Sequence, residues 1–506
     1  MSHPEARTRG RVMVAGVLWN AAGRGLPLLL ALALTPVLVA QLGVERWGLF
    51  TLALAMVGVF GVFDFGVGQA LTRALSARIG EGQATEATEL VVASLAALLL
   101  VSLAVAGIAW WFVPVLVERV LLVPAALQPQ AVSAMRVLTA AAPLVVANAA
   151  LWGVLAAHQR FRAANLATIP VSLFYYIGPV LVLLVWDDLT AVMLALVACR
   201  LANTLSYAWL VRPLLPGLHL GWPRFRLVAP LLKLGGWMTA SGLLGQALLY
   251  ADRFLIGALL SLAAVAWYAT PLDLILRLWI LPVAVAQTLL PALASSFATL
   301  PTRTSALLRR GALLIMAVVL PACLLLLAGA DPILRLWLGP DFAAGGARVL
   351  QILSVGMFFS CAAFAPNSLI DAVGRPDVTA LFALAQAVMF LPLAALLLTW
   401  LGIEGAAMAW ALRCVVDCAG KLLLAARLYP EAADAVRQVV PPLAGGGIGL
   451  ATLLLLPSLP AILGLGALVA LAFAGLAARA LDAGEREALL RHPLALLRFR
   501  PAGGAP

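Results

Sequence analysis

The residues best suited to chemistry in this 506-residue chain are arginines inside long apolar runs. Arg24 and Arg200 each lie near the middle of such a run. An arginine at the centre of a bilayer is costly and rarely faces lipid. Asn20 precedes Arg24 by four residues and Asn203 follows Arg200 by three, so each amide shares a helix face with its arginine. Neither run contains an acidic residue, and the pattern therefore predicts a cationic surface that an anionic ligand completes.

Two further arginines lie deep in apolar runs but have acidic residues at helical spacing. Asp273 precedes Arg277 by four residues, and Asp417 lies four residues from both Arg413 and Lys421. Side chains at this spacing meet on a helix and can form ion pairs. Two interpretations remain open, a local ion pair and a contact with a transported anion. The candidate substrate-binding residues are Asn20, Arg24, Arg200, Asn203, Arg277 and Arg413.

Acidic residues inside the apolar runs are candidates for coupling transport to an ion. Asp64 ends the second run, in a phenylalanine- and glycine-rich stretch. Its interpretations are a helix cap or kink, a partner of Arg73, or a carboxylate that takes up a coupling proton or cation. The candidate coupling-ion residues are Asp64, Asp273 and Asp417.

The overall composition indicates the environment in which this chain folds. The apolar share is 64% and the charged share is 11%, whereas soluble proteins average about 45–50% and about 25%. We therefore expect an integral membrane protein. The net charge of +11 does not indicate nucleic-acid binding, because the basic residues do not alternate with aromatic ones. They are expected at the membrane edges, where they contact anionic lipid.

A membrane-spanning helix needs about 20 mostly apolar residues. On that criterion we expect an all-α polytopic membrane protein with about fourteen transmembrane helices and an uncleaved first span. With the N-terminus in the cytoplasm, Lys and Arg favour the inner side by roughly four to one, as the positive-inside rule requires. The predicted spans are 12–40, 47–70, 90–112, 132–156, 164–186, 189–211, 231–251, 265–290, 308–330, 348–371, 379–400, 404–426, 438–457 and 460–479.

The order of spans and loops indicates an internal repeat. The sequence Arg136-Val137-Leu138 recurs as Arg348-Val349-Leu350, and other matches have similar offsets. Six is an even number of spans, so both halves enter the membrane from the same side as parallel repeats. The predicted parts are a six-helix lobe at 1–211, a cytoplasmic loop at 212–230, a second lobe at 231–428, and a helix pair with a basic tail at 429–506.

Nothing in the sequence indicates an enzyme. There is no GxSxG or P-loop motif, and the outer loops are too short for a catalytic domain. The five cysteines lie in apolar runs without metal-ligand spacing and are expected to be packing residues. We expect no cofactor. A membrane-bound polymerase or ligase and a passive assembly scaffold are the alternatives from other functional classes.

Two motifs near the N-terminus resemble a known family. Leu42-Gly43 is followed by Gly48-Leu49-Phe50, and the glycine-rich stretch after Asp64 ends in a basic residue. This pattern resembles the oligosaccharide flippases of the Wzx type, in the multidrug/oligosaccharidyl-lipid/polysaccharide exporter superfamily, over a plan of six, six and two helices. In the second half Pro282 occupies the position of Asp64, so a coupling role is not repeated there.

The resemblance implies a function. Such a flippase moves undecaprenyl-pyrophosphate-linked oligosaccharides from the cytoplasmic to the outer leaflet for surface polysaccharides such as O-antigen and lipopolysaccharide. The deep arginines would neutralise the pyrophosphate in a central cavity that opens alternately to each side. Expected partners are the lipid-linked substrate, anionic lipid, and the polymerase and glycosyltransferases of the pathway. The expected location is the inner membrane, with both termini cytoplasmic. The alternatives are a lipid II flippase and a cation-coupled multidrug exporter.

Overall fold

A computed structural model describes most of the protein. It covers residues 4–60, 67–81, 83–216, 245, 248–456, 458–482 and 486, with the backbone alone at 4–28, 59–60, 67–70, 73, 80, 84 and 376. Within these ranges all regular secondary structure is helical. The prediction of an all-α polytopic membrane protein is confirmed.

The chain divides into two compact units, Met1–Ala266 and Trp267–Pro506. The predicted boundaries of the lobes at 211, 231 and 428 stay a prediction, and much of the predicted connecting loop lies outside the described residues. The first unit contains α1 (Pro4–Phe60), α2 (Val67–Gly80), α3 (Ala84–Val115), a π-helical turn (Leu116–Val120), α4 (Gln128–Ala140), α5 (Ala142–Ala157), α6 (Phe161–Leu183), α7 (Leu189–Val211) and a helix over 248–259.

The second unit ends in a helical hairpin. One helix, α8, crosses the border, and its residues 262–266 belong to the first unit. The helices are α8 (Leu262–Leu276), α9 (Ile280–Ser296), α10 (Pro301–Ala328), α11 (Ala330–Leu338), α12 (Pro340–Ala362), α13 (Phe364–Ala372), α14 (Pro376–Leu428), α15 (Ala433–Leu453) and α16 (Leu459–Ala480).

Two of the longest helices each contain a sharp turn at a glycine. Gly43 in α1 has φ of 74° and Gly402 in α14 has φ of 61°. Side chains other than glycine rarely adopt this left-handed region, so each glycine joins two helical segments. Within the described ranges, ten helices are long and apolar enough to cross a membrane. The count of about fourteen spans stays a prediction.

A buried apolar cluster holds the helices of the first unit together. Leu71 from α2, Leu90 from α3, Val154 from α5 and Tyr207 from α7 are all at most 5% exposed within it. Close packing of this kind leaves side chains few alternative rotamers. The cluster therefore fixes α5 and α7, which carry most of the polar residues described below.

The hairpin of α15 and α16 packs against α10 and α12 in the second unit. Arg309 on α10 donates hydrogen bonds to Gln438 at 2.7 Å and to Asp482 at 2.6 Å. At the other end, Arg348 on α12 donates to the carbonyl oxygen of Leu454 at 2.6 Å. Charge-assisted bonds of this length are strong. Two arginines thus fasten the hairpin, one near each end.

The loop before α7 is held by its two acidic residues. Asp187 forms an ion pair with Arg46 at 2.6 Å. Asp188 accepts hydrogen bonds from the side chain of Gln130 and from the backbone N–H of Thr190, both at 2.9 Å. Asp188 thereby caps α7. Burial acts to raise its pKa, but these hydrogen bonds outweigh burial and leave the pKa below its usual value.

We expect Asp188→Ala to lower the free energy of unfolding by about 1 kcal/mol, the usual cost of losing an N-cap. Because the folded-state pKa is lowered, the ionised Asp188 stabilises the fold above its unfolded-state pKa of about 3.9. That contribution is lost as the pH falls through the lower folded-state value. Thermal unfolding in detergent at neutral and acid pH measures both effects.

Asp188→Asn is the matched control, because asparagine caps helices about as well as aspartate but carries no charge. Asp188→Asn should keep most of the stability at neutral pH and lose this part of its pH dependence. An alanine variant as stable as the native protein would contradict the role of Asp188 as a cap.

Candidate functional site

A polar pocket of about 560 Å³ lies among α5, α6 and α7, inside the first unit. Its size is in the usual range for small-molecule sites. These helices are apolar elsewhere. Polar side chains inside such helices are costly to place in a membrane, and they usually serve binding or transport. The lining combines amides, hydroxyls, aromatic rings and one arginine, chiefly Asn148, Trp152, Asn165, Thr168, Ser172, Tyr175, Tyr176, Arg200, Asn203 and Tyr207.

Arg200 provides the positive charge of this pocket. It is half-buried on α7, and its guanidinium carbon lies 5.6 Å from the ring centroid of Tyr175. Cation–π contact stabilises a partly desolvated arginine but leaves its N–H groups able to donate. No carboxylate in the described part of the chain forms an ion pair with Arg200. The charge is therefore available to an anionic ligand.

The spacing of α7 places further polar groups beside Arg200. Asn203 and Tyr207 follow at three and seven residues and line the same pocket, as helical periodicity requires. The Oδ1 atom of Asn203 is shielded from solvent and has no hydrogen-bond partner among the described residues. An unsatisfied buried acceptor costs about 1–3 kcal/mol. A donor from a ligand, such as a hydroxyl group, would remove that cost.

Aromatic rings form the rest of the wall. Trp152 on α5 stacks on Tyr207, with centroids 6.4 Å apart, and Tyr175 lies edge-on to Tyr176 at 5.7 Å. The hydroxyl of Tyr207 hydrogen-bonds to Thr168 on α6. Rings with one polar end suit ligands that are partly apolar and partly hydroxylated. The wall can pack against the C–H face of a sugar ring while the amides meet its hydroxyls.

Arg413 is one of the two arginines of the second unit that the sequence places deep in an apolar run. Its guanidinium carbon lies 5.5 Å from the ring centroid of Phe390 and 5.9 Å from that of Trp410. Asp417 instead pairs with Lys421 at 2.9 Å and accepts from Gln386 at 2.8 Å. The ion pair that the sequence left open is therefore formed by Lys421. A coupling role for Asp417 and a substrate role for Arg413 stay predictions.

The other predicted residues are placed less completely. Arg277 is exposed in a 3-10 turn (Arg277–Trp279) between α8 and α9, and Asp273 is half-buried on α8. Asn20 and Arg24 lie on α1 by their backbone, but their side chains are outside the described residues. Asp64 lies outside the described residues altogether. The roles of these five residues stay predictions.

Of the predicted substrate-binding residues, the structure brings Arg200 and Asn203 together in one pocket. Sequence reasoning missed the amides of Asn148 and Asn165 and the aromatic wall. The amides carried a usable signal, because an asparagine inside an apolar run is as unusual as an arginine there. The rings carried none, since aromatic residues are common in spans for other reasons.

Comparison with known proteins identifies relatives of this chain. A family model described as "Polysaccharide biosynthesis protein" matches residues 13–297. The chain is similar to a protein of Shigella flexneri called "Putative O-antigen transporter", with 27% identity over 418 residues, covering 80% of this chain and 96% of that protein.

Solved structures show the same fold at low identity. A structure of the lipid II flippase MurJ in an inward closed conformation has 14% identity and a TM-score of 0.71, covering 92% of this chain and 99% of that one. An inward-facing multidrug resistance MATE family transporter of the MOP superfamily has 14% identity and a TM-score of 0.68, covering 80% and 95%. These likenesses concern the fold alone.

Proposed function

We propose a transport function for this multi-pass membrane protein, which belongs to the polysaccharide biosynthesis protein family. Its cargo is an oligosaccharide linked through pyrophosphate to undecaprenol, moved from the cytoplasmic to the outer leaflet for surface polysaccharide such as O-antigen. The similarity to a putative O-antigen transporter supports this cargo. The pocket of α5–α7 receives part of the head group.

The observation that carries this proposal is an arginine without a carboxylate partner among the described residues, in a pocket lined by amides and aromatic rings. Arg200 would bind a phosphate oxygen, and guanidinium groups suit phosphate because their N–H donors match its geometry. Asn148 and Asn203 would meet sugar hydroxyls, and the ring of Trp152 would pack on a sugar face. The undecaprenyl tail would stay in lipid.

We further propose that transport occurs by alternating access in the inner membrane, with both termini in the cytoplasm. Arg24, Arg277 and Arg413 would add positive charge to a central cavity. An interior-negative potential would favour outward movement of the anionic head group by about 2.3 kcal/mol per elementary charge per 100 mV. Asp64 is the proposed site of ion coupling.

The experiment that tests the function uses the purified full-length protein in liposomes. A fluorescent undecaprenyl-pyrophosphate-linked oligosaccharide is placed in both leaflets, and an impermeant quencher reports the fraction that becomes accessible. We expect the protein to increase the accessible fraction from about half towards completion. Protein-free liposomes and liposomes with a labelled phospholipid are the controls. Equal rates with and without the protein would exclude both a flippase and any wider lipid scramblase.

The same liposomes separate the rival functions. Uptake of a cationic dye driven by a proton or sodium gradient, without movement of the oligosaccharide, would indicate a drug exporter. Movement of lipid II but not of the longer oligosaccharide would indicate a peptidoglycan precursor flippase. The proposed function requires the oligosaccharide to move faster than both.

A further inference from the structure

A second pocket of the first unit lies at the ends of α3 and α4, away from the pocket of α5–α7. It encloses about 620 Å³, and its lining includes Trp110, Glu118, Gln128, Ser133 and Arg136. Trp110 lies five residues before the end of α3, and Glu118 lies in the π-helical turn that follows. A tryptophan and charged residues at the end of a span are typical of the membrane interface. We call this the interface pocket.

Arg136 of the interface pocket has no acceptor among the residues that the structure describes. Its guanidinium carbon lies 5.3 Å from the ring centroid of Trp110. Its Nε atom is shielded from solvent and unbonded, and no described residue forms an ion pair or hydrogen bond with its side chain. A shielded N–H donor of a charged group is expensive to leave without an acceptor. An acceptor from a bound ligand would remove this cost.

The repeated arginine of the second unit shows what such a residue bonds to. Arg136 and Arg348 begin the same tripeptide, and each is the ninth residue of its helix. Arg348 donates to the carbonyl oxygen of Leu454 at 2.6 Å, and its Nε lies 4.0 Å from a carboxylate oxygen of Glu404. The hairpin α15–α16 supplies that carbonyl. In the first unit the described residues offer no such acceptor to Arg136.

The surroundings of Arg136 indicate the chemistry of a ligand that would fit the pocket. A negatively charged group is needed at the guanidinium, but Glu118 lines the same pocket and disfavours a bare anion. The face of α3 that carries Trp110 also carries Leu103, seven residues earlier, and Leu103 is 57% exposed. A ligand with an anionic group, a cationic group and an apolar tail meets all three conditions.

We propose that the interface pocket binds the zwitterionic headgroup of a phospholipid, with the phosphate on Arg136 and a primary ammonium near Glu118. The acyl chains would lie along the apolar surface of α3. This proposal does not depend on the cargo of the pocket of α5–α7. A free phosphate shares only the contact with Arg136, and it lacks both the ammonium and the tail.

The test is native mass spectrometry of the full-length protein in detergent, titrated with phosphatidylethanolamine, phosphatidylglycerol or inorganic phosphate. We expect Arg136→Gln to weaken binding of both lipids roughly tenfold, because one charge-assisted contact is lost. Glu118→Gln should weaken phosphatidylethanolamine alone and leave phosphatidylglycerol bound as well or better. Arg119→Gln is the matched control, since Arg119 is an exposed arginine of the same turn that does not line the pocket.

The possible outcomes separate the parts of the proposal. Equal lipid binding by the Arg136 and Arg119 variants would overturn the site. Equal loss of both lipids in Glu118→Gln would overturn the zwitterionic preference, and displacement of lipid by inorganic phosphate would overturn the phospholipid assignment. Thermal unfolding without added lipid should be similar for all three variants, which ensures that lost binding is not lost folding.

Discussion

Replacing Arg200 with alanine is expected to reduce export of surface polysaccharide at least tenfold while leaving the protein level near normal. A hydrogen bond to a charged group contributes about 1.5–3 kcal/mol, and 1.4 kcal/mol corresponds to a factor of ten. Arg200 forms no ion pair with any described residue. Its removal therefore leaves none of the described carboxylates without a partner. The loss should therefore appear in transport rather than in folding.

Two quantities are measured: the amount of surface polysaccharide on a deletion strain that carries each variant, and the flipping rate of the purified variant in liposomes. Arg200→Lys keeps the charge but loses the planar pair of donors, so we expect an intermediate rate. Arg162→Ala is the matched control, because Arg162 is exposed near the start of α6 and does not line the pocket. Normal export by Arg200→Ala at normal protein level would show that the pocket does not carry the head group.

Replacing Gly48 with valine is expected to prevent accumulation of folded protein. Gly48 lies in the second segment of α1, where the backbone of α8 approaches closely. A β-carbon at this position would overlap the carbonyl oxygen of Leu262, a backbone atom that cannot move as a side chain does. Overpacking a tight core costs about 1–3 kcal/mol and more where the backbone must shift. We expect at least about 3 kcal/mol here.

The yield of monodisperse protein after detergent extraction measures this effect. Gly107→Val is the matched control, since Gly107 lies in α3 and a β-carbon there would have no neighbour within 4 Å. It should be extracted at a near-normal level. Equal extraction of both variants would contradict the close approach of Gly48 to the backbone of Leu262.

The structure explains why the motif behind the family resemblance contains glycine at two positions. Gly43 occupies the left-handed region that turns α1, and Gly48 allows the close approach to Leu262. Leu49 is fully buried, and Phe50 stacks with Trp47 at 5.0 Å. The sequence alone showed the motif but not why each glycine is needed, because a turn and a close approach look alike in a single sequence.

The candidate site could be predicted only in part. Arg200 and Asn203 were found because a cation and an amide in an apolar run have few structural explanations. The contribution of Tyr175 and Trp152 depends on how α5, α6 and α7 converge, which no spacing within one helix reveals. Charges at equal spacing posed a different problem. Asp417 lies four residues from both Arg413 and Lys421, and the fold selects Lys421 together with Gln386 from the other segment of α14.

The cysteines give the pocket of α5–α7 an additional property. Cys323, Cys361, Cys414 and Cys418 are buried, whereas Cys199 is half-buried and lines the pocket beside Arg200. A maleimide that enters the pocket therefore meets one thiol, without any engineered label. The rate of alkylation at Cys199 therefore reports how often the pocket is open to the reagent. Cargo bound in the pocket should lower this rate in proportion to the fraction of the protein that it occupies.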